Sequence, residues 1–228
     1  LVFYFWCLSS DRNMPSPSLI SQDAPFQDTS AQHPSSIKPL TVYWLVCIAL
    51  GWLYLRPEIV RIPAISSQSH LISIAIGLVT TVTTMVTYDR VATTGMRSLH
   101  RPTFIIFPIA NGILETIPFL VSFKIGTVLA APFTTQLIMQ PLWLFLAGTV
   151  TFFAYLAAIH ALFWLKVLPP HLDKRPAVKK ARIAWIISLT AVSLMWGWLY
   201  FAYQDFWSVA ILHTLFDVGM VYSIRYRF

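Results

Sequence analysis

Charge is what this sequence has least of. Charged residues make up 11% of the 228-residue chain and hydrophobic residues 57%, whereas soluble domains carry about 25% charge. With a mean hydropathy of +0.66, a water-soluble globular domain is excluded. Cysteine is nearly absent: Cys7 and Cys47 stand alone, without a CxxC or a Cys/His zinc spacing. A disulfide framework is therefore excluded, and both thiols read as unpaired groups at apolar sites. No basic patch interleaved with aromatics accompanies the net charge of +7, so nucleic acid is not an expected partner. No internal repeat of 20–50 residues is evident. Leu1–Leu8 is too short to span a bilayer and lacks a basic n-region, which leaves a shortened targeting segment or an interfacial aromatic anchor.

What is present is a series of long apolar runs. A span needs about 20 apolar residues, and the expected spans are Pro39–Leu55, His70–Tyr88, Thr103–Phe123, Leu142–Leu168, Ile183–Tyr203 and Phe206–Tyr222. Trp44, Trp52 and Tyr54 read as interface anchors of the first. Thr127–Gln140 is apolar but short, with Pro132 and a polar Thr134-Thr135-Gln136 centre. It reads as a re-entrant or interfacial segment, since irregular backbone at membrane depth must line protein or water. The expected fold is an all-α polytopic membrane helical bundle of about six spans plus that segment. Residues 1–37, rich in Ser, Pro, Gln and Asp, read as a disordered or surface-lying tail, and 38–228 as the transmembrane domain, in contact with the lipid bilayer.

Lys and Arg set an expected orientation. With the tail on the cytoplasmic or equivalent side, thirteen cations fall there (Arg12, Lys38, Arg90, Arg97, Arg101, Lys166, Lys174, Arg175, Lys179, Lys180, Arg182, Arg225 and Arg227) and three, Arg56, Arg61 and Lys124, fall opposite. The positive-inside rule then places both termini inside. The cluster Lys174–Arg182 reads as a topology and lipid-headgroup loop, with a docking patch for an acidic partner as the sharper alternative. His33, His70, His100 and His171 lie in the tail or at span ends and read as solvated.

Four acids or imidazoles stand in the interior of the spans, away from their ends: Glu115, His160, His213 and Asp217. Such groups cost at least ~2.5–3.5 kcal/mol each at membrane depth, so a buried functional site is the default reading. At about 1.5 Å per residue all four fall in one slab of the bundle. His213 and Asp217 share a helix face by their i,i+4 spacing, as do Asn111 and Glu115. Asn111 and Thr116 are candidate cavity-lining residues, and Asn111 is equally a candidate for interhelical hydrogen bonding.

The stretch Trp196-Gly197-Trp198-Leu199-Tyr200, followed by Phe206 through His213-Thr214-Leu215-Phe216-Asp217, resembles the final hairpin of the type II CAAX-prenyl-protease-like family, also known as CPBP intramembrane proteases or the abortive-infection family. The resemblance covers about residues 103–223. The family's His-x-x-x-Asn/Asp motif is met by His213 and Asp217. Its Phe-x-x-x-His motif is met at His160, with Leu156 in the Phe position. Its Glu-Glu-x-x-x-Arg motif retains only Glu115, with Thr116 and Leu120 in place of the second Glu and the Arg. The resemblance implies hydrolysis of a peptide bond in a membrane-anchored or prenylated substrate. Glu115 would be the general base, His160 its partner, and His213 with Asp217 the oxyanion side. A divalent metal such as zinc suits the same four residues in ligand type. The altered first motif, and Pro118 as a local helix breaker, leave two further readings open. One is a catalytically lapsed member serving as a membrane scaffold or assembly factor, since relatives in photosynthetic membranes are associated with pigment–protein complexes. The other is a small proton-coupled carrier, which the absence of an internal repeat disfavours.

Overall fold

A computed structural model describes residues 37–61, 64–93, 98–168, 171–173, 175–225 and 227. The tail expected over 1–37 lies outside the described residues save for Ile37, as do Cys7 and His33. The chain is an all-α polytopic bundle with six helical stretches long and apolar enough to cross a membrane. The helices are α1 (Ile37–Tyr54), α2 (Arg56–Val60), α3 (Gln68–Asp89), α4 (Arg101–Leu114), α5 (Thr116–Thr134), α6 (Gln140–Ile159), α7 (Lys179–Tyr203) and α8 (Phe206–Ile224). α6 continues through a π-helical turn, His160–Trp164, into Leu165–Val167. Among the described residues the only β-type pairing is one antiparallel bridge, Ala92 with Leu172.

The bundle's two ends differ in charge. Asp89 accepts from the Ser223 hydroxyl (2.8 Å), and the Asp173 N–H donates to the Val91 carbonyl (2.8 Å). These contacts bring the ends of α3 and α8 and the α6–α7 loop together, so Arg90, Lys166, Arg175 and Arg225 gather at one end. At the other end Lys124 bonds Glu58 (2.8 Å), the Tyr200 hydroxyl donates to the same carboxylate (3.3 Å), and the Trp207 indole donates to the Ile59 carbonyl (3.0 Å).

Two expectations about the third span are corrected. Thr127–Gln140 is not a separate re-entrant segment: Thr127–Thr134 is the last part of α5, and the chain reverses in the short turn before α6. α4 and α5 together form one apolar stretch, Arg101–Thr134, of 34 residues, about 51 Å at 1.5 Å per residue and longer than a hydrocarbon core of about 30 Å. Pro132 lies inside α5, which runs on to Thr134; the Thr134 hydroxyl bonds the Ala130 and Ala131 carbonyls (3.2 and 3.3 Å) near its end. The interruption falls instead between α4 and α5, at Glu115. Pro118 has no N–H for the Leu114 carbonyl and its ring crowds that carbonyl, which opens the ladder one turn earlier.

Close approach, not hydrophobic force, holds helices together in lipid. A side chain on Gly112 would meet the backbone and hydroxyl of Thr214, so α4 lies directly against α8. Gly126 packs in the same way on Ala147 and Thr151, joining α5 to α6; the Thr151 hydroxyl also donates to the Ser122 carbonyl (2.7 Å). Phe119, Leu120, Phe123, Phe152, Trp196 and Leu199 form the main core. The outward faces of α1 and α3 expose Val42, Leu45, Leu53, Leu71 and Val79, as lipid-facing helices do.

Candidate functional site

The Gly112–Thr214 contact sets the site. It brings the Asn111–Glu115 face of α4 against the His213–Asp217 face of α8. The Asn111 amide then gives one hydrogen to each acid: Nδ2 lies 2.8 Å from Glu115 Oε2 and 2.9 Å from Asp217 Oδ2. Its carbonyl oxygen accepts from the Trp44 indole (3.2 Å). Asn111 is thus fully used, as a polar group buried to 1% exposure requires.

Glu115, in the break between α4 and α5, is buried and collects donors from three other helices or turns. Trp164, at the end of the π turn, donates its indole N–H to Oε1. Tyr43 on α1 donates its hydroxyl to the same oxygen (3.2 Å). Since that hydroxyl has one hydrogen, the contact between the Tyr43 and Tyr155 hydroxyls (3.2 Å) runs from Tyr155 to Tyr43. With Asn111, three of the roughly four lone-pair positions of the carboxylate are occupied. The remaining one, on Oε2, faces His213.

Thr116 orients His213. Its hydroxyl donates to the Gly112 carbonyl (2.6 Å), so its oxygen is left to accept from His213 Nδ1 (3.0 Å). That assigns the proton to Nδ1 and turns the Nε2 lone pair to the acids, 3.8 Å from Glu115 Oε2 and 3.9 Å from Asp217 Oδ1. Separations of that size are bridged by a single water. His160 is assigned the same tautomer, because Nδ1 lies 2.8 Å from the Leu156 carbonyl, an acceptor only. It opens the π turn, in which the Leu165 N–H bonds back to the His160 carbonyl. Such wide turns occur mostly as single insertions, frequently at functional sites.

Glu115, His160, His213, Asp217 and Asn111 line one cavity of about 100 Å3, closed otherwise mostly by apolar and aromatic side chains such as Phe107, Phe119, Phe152, Trp164 and Trp196. One probe-sized water needs about 10–15 Å3 of such space, so several fit. Thr116 does not line it and acts through His213. The four residues expected to share a depth are therefore brought together. Leu120, in the position of the expected Arg, is fully buried in the apolar core and supplies no charge to Glu115; the donors of Trp164, Tyr43 and Asn111 stand there instead.

The donor pattern disagrees with a metal centre. Among the described residues no three His, Cys, Asp or Glu side chains are disposed to hold an ion. Glu115 is already held by N–H and O–H donors, which a cation would displace, and no step below uses a metal.

Several partners lay beyond sequence reasoning. Trp44, expected at the interface, points inward to Asn111; Trp52 and Tyr54 are exposed as interface anchors are. Trp164, Tyr43 and Tyr155 are indistinguishable by composition from belt aromatics, and only the i,i+4 spacing of Trp164 from His160 hinted at a shared face. One histidine read as solvated is not. His70 is buried, stacked on Tyr203 (centroids 4.1 Å), with Nε2 2.8 Å from Asp205; Asp205 caps α8 at the Ser208 N–H (2.9 Å). His171 lines the cavity. His100 lies 2.8 Å from the Thr103 hydroxyl just before α4. Cys47 is buried, as expected of a free thiol at an apolar site.

Comparison with known proteins gives no match among family models, curated proteins or solved structures.

Proposed function

We propose that the cavity is a hydrolytic site acting on a peptide bond of a membrane-anchored substrate. The observation that supports this reading is the one open lone-pair position of Glu115, which faces the unprotonated Nε2 of His213 at a distance one water spans. Glu115 takes a proton from that water as the hydroxide adds to the carbonyl carbon. His213, held by Thr116, accepts the second hydrogen of the same water at Nε2 and so turns the water's oxygen toward the carbonyl carbon. When the C–N bond breaks, the proton passes from Glu115 to the leaving amine. His160, on the opposite wall, contacts the same space. The aromatic lining keeps bulk water out, which strengthens each polar contact.

The second reading, a scaffold that has lost catalysis, is favoured by a different observation. Trp164, Tyr43 and Asn111 tie α1, α4 and α6 together through Glu115, so the acid also serves as an assembly joint. One variant separates the two. With a fluorogenic, lipid-anchored peptide in liposomes, Glu115→Gln should lower cleavage by about 10²–10⁴-fold, the usual worth of a positioned general base, and leave thermal stability near that of the native chain. No cleavage by the native protein, together with a strong loss of stability in Glu115→Gln, would rule for the scaffold. We further place the basic end of the bundle on the cytoplasmic or equivalent side, following the positive-inside rule.

A further inference from the structure

The cavity has a second set of polar groups besides the acids, and each can donate a hydrogen bond. Trp185 Nε1, Trp196 Nε1 and the Tyr88 hydroxyl are buried and have no hydrogen-bond partner among the described residues, yet all three side chains line the cavity. Unpaired buried donors cost about 1–3 kcal/mol each. Tyr88 and Trp185 lie side by side (ring centroids 5.5 Å), while Trp196 sits deeper, against His213 (4.8 Å).

The two tryptophans lie on one face of α7, with Tyr88 of α3 beside Trp185. Trp185, Leu189, Ser193 and Trp196 recur at three- and four-residue steps, and all line the cavity. Arg182 continues the same stripe one turn toward the α6–α7 loop. It lies just beyond the cavity lining, is only 9% exposed and makes no hydrogen bond among the described residues, although its charge also acts on Asp173. Asp173, the acid nearby, is taken by Arg175 through a forked contact of 2.6–3.1 Å. Leu165, Leu168, His171 and Leu172, next to the α6–α7 loop, are partly exposed residues of the lining and form a mouth at this end; Leu156, His160, Leu189 and Phe216 are partly exposed as well.

From this arrangement we infer that the cavity binds a membrane-resident anionic amphiphile: an acidic head, carboxylate or phosphate, bonded by Arg182, Trp185 and Tyr88, with an apolar body running inward along the aromatic wall toward Trp196. A guanidinium is the side chain best suited to such a head, because its fork matches two oxygens at once. The inference stands apart from the hydrolytic reading, since Glu115 takes no part in holding the head.

The test is saturable quenching of tryptophan fluorescence by dibrominated long-chain ligands, with the full chain in phosphatidylcholine nanodiscs. Three heads on one tail are compared: carboxylate, phosphate monoester and alcohol. Either acid should bind at least about tenfold more tightly than the alcohol, as a hydrogen bond to a charged group implies, and Trp196→Phe, which removes the indole beside the brominated chain, should lower the quenching. Arg182→Gln should reduce the acids to the level of the alcohol, Arg182→Lys should restore part of the difference, and Lys179→Gln, an exposed neighbour, should leave it unchanged. Equal binding of acid and alcohol overturns the inference without need of any variant. So does equal loss in Lys179→Gln, which would make the effect one of diffuse surface charge. Displacement of the ligand by inorganic phosphate alone, with no tail, would assign the donors to a free anion and overturn the amphiphile.

Discussion

Removing the Asn111 amide tests the geometry at the joint of α4 and α8. Asn111→Leu keeps the approximate volume but withdraws both hydrogens, from Glu115 Oε2 and Asp217 Oδ2. In water-soluble proteins a bond to a charged group is worth about 1.5–3 kcal/mol. Within a bilayer the unfolded helices find other partners, and measured polar contacts average about 0.6 kcal/mol with a maximum near 1.7. Two such bonds give an expected loss of about 1–3 kcal/mol. The measurement is reversible unfolding in mixed micelles followed by tryptophan fluorescence, for Asn111→Leu, Asp217→Leu and the double variant. If Asn111 holds Asp217 as described, the double variant should fall short of additivity by about 0.6–1.7 kcal/mol. Additive losses within about 0.3 kcal/mol would mean that the two residues do not interact, and the joint would have to be redrawn.

Two other outcomes follow from particular contacts. Gly112→Ala should destabilise by about 1–3 kcal/mol, the usual cost of overpacking, because a methyl group there meets the backbone of Thr214; a variant as stable as the native chain in reversible unfolding would refute the close approach. At the α6–α7 loop, Arg175 holds the Asp173 carboxyl below the usual carboxylate range. A depressed acid contributes above its unfolded value and loses that contribution as pH falls through the folded one, so amide exchange over 171–173 should stay slow at neutral pH and rise only below about pH 3.9. A rise at higher pH would disagree with the ion pair.

The acids and imidazoles of the site were legible in the sequence because water-loving groups are expensive at membrane depth. Glu115, His160, His213 and Asp217 stand out from their apolar runs for that reason alone, and the i,i+4 spacings of Asn111–Glu115 and His213–Asp217 name the faces that meet. Their partners were not legible. A buried Trp164 or Tyr43 has the same composition signal as an aromatic at the membrane surface, and which way the polar tip points depends on helix rotation. His70 seemed solvated because it starts a span, yet its acceptor, Asp205, comes from the distant hairpin between α7 and α8. Arg182 seemed one more headgroup-facing cation in a basic loop, until helix phase placed it in line with Trp185 and Trp196.

The order of apolar runs, their lengths and the rarity of charge determine by themselves that this chain is an α-helical membrane protein, since in lipid only closed backbone hydrogen bonding is tolerated. Pro118, likewise, already locates a weak point in the third span. Tertiary structure alone decided which helices touch. Gly112 permits α4 and α8 to approach to backbone contact, and only then do Asn111, Glu115, His213 and Asp217 become one network. It also decided that α5 runs on past Thr127, because a helix in contact with α6 through Gly126 keeps its hydrogen bonds where local composition suggested a break.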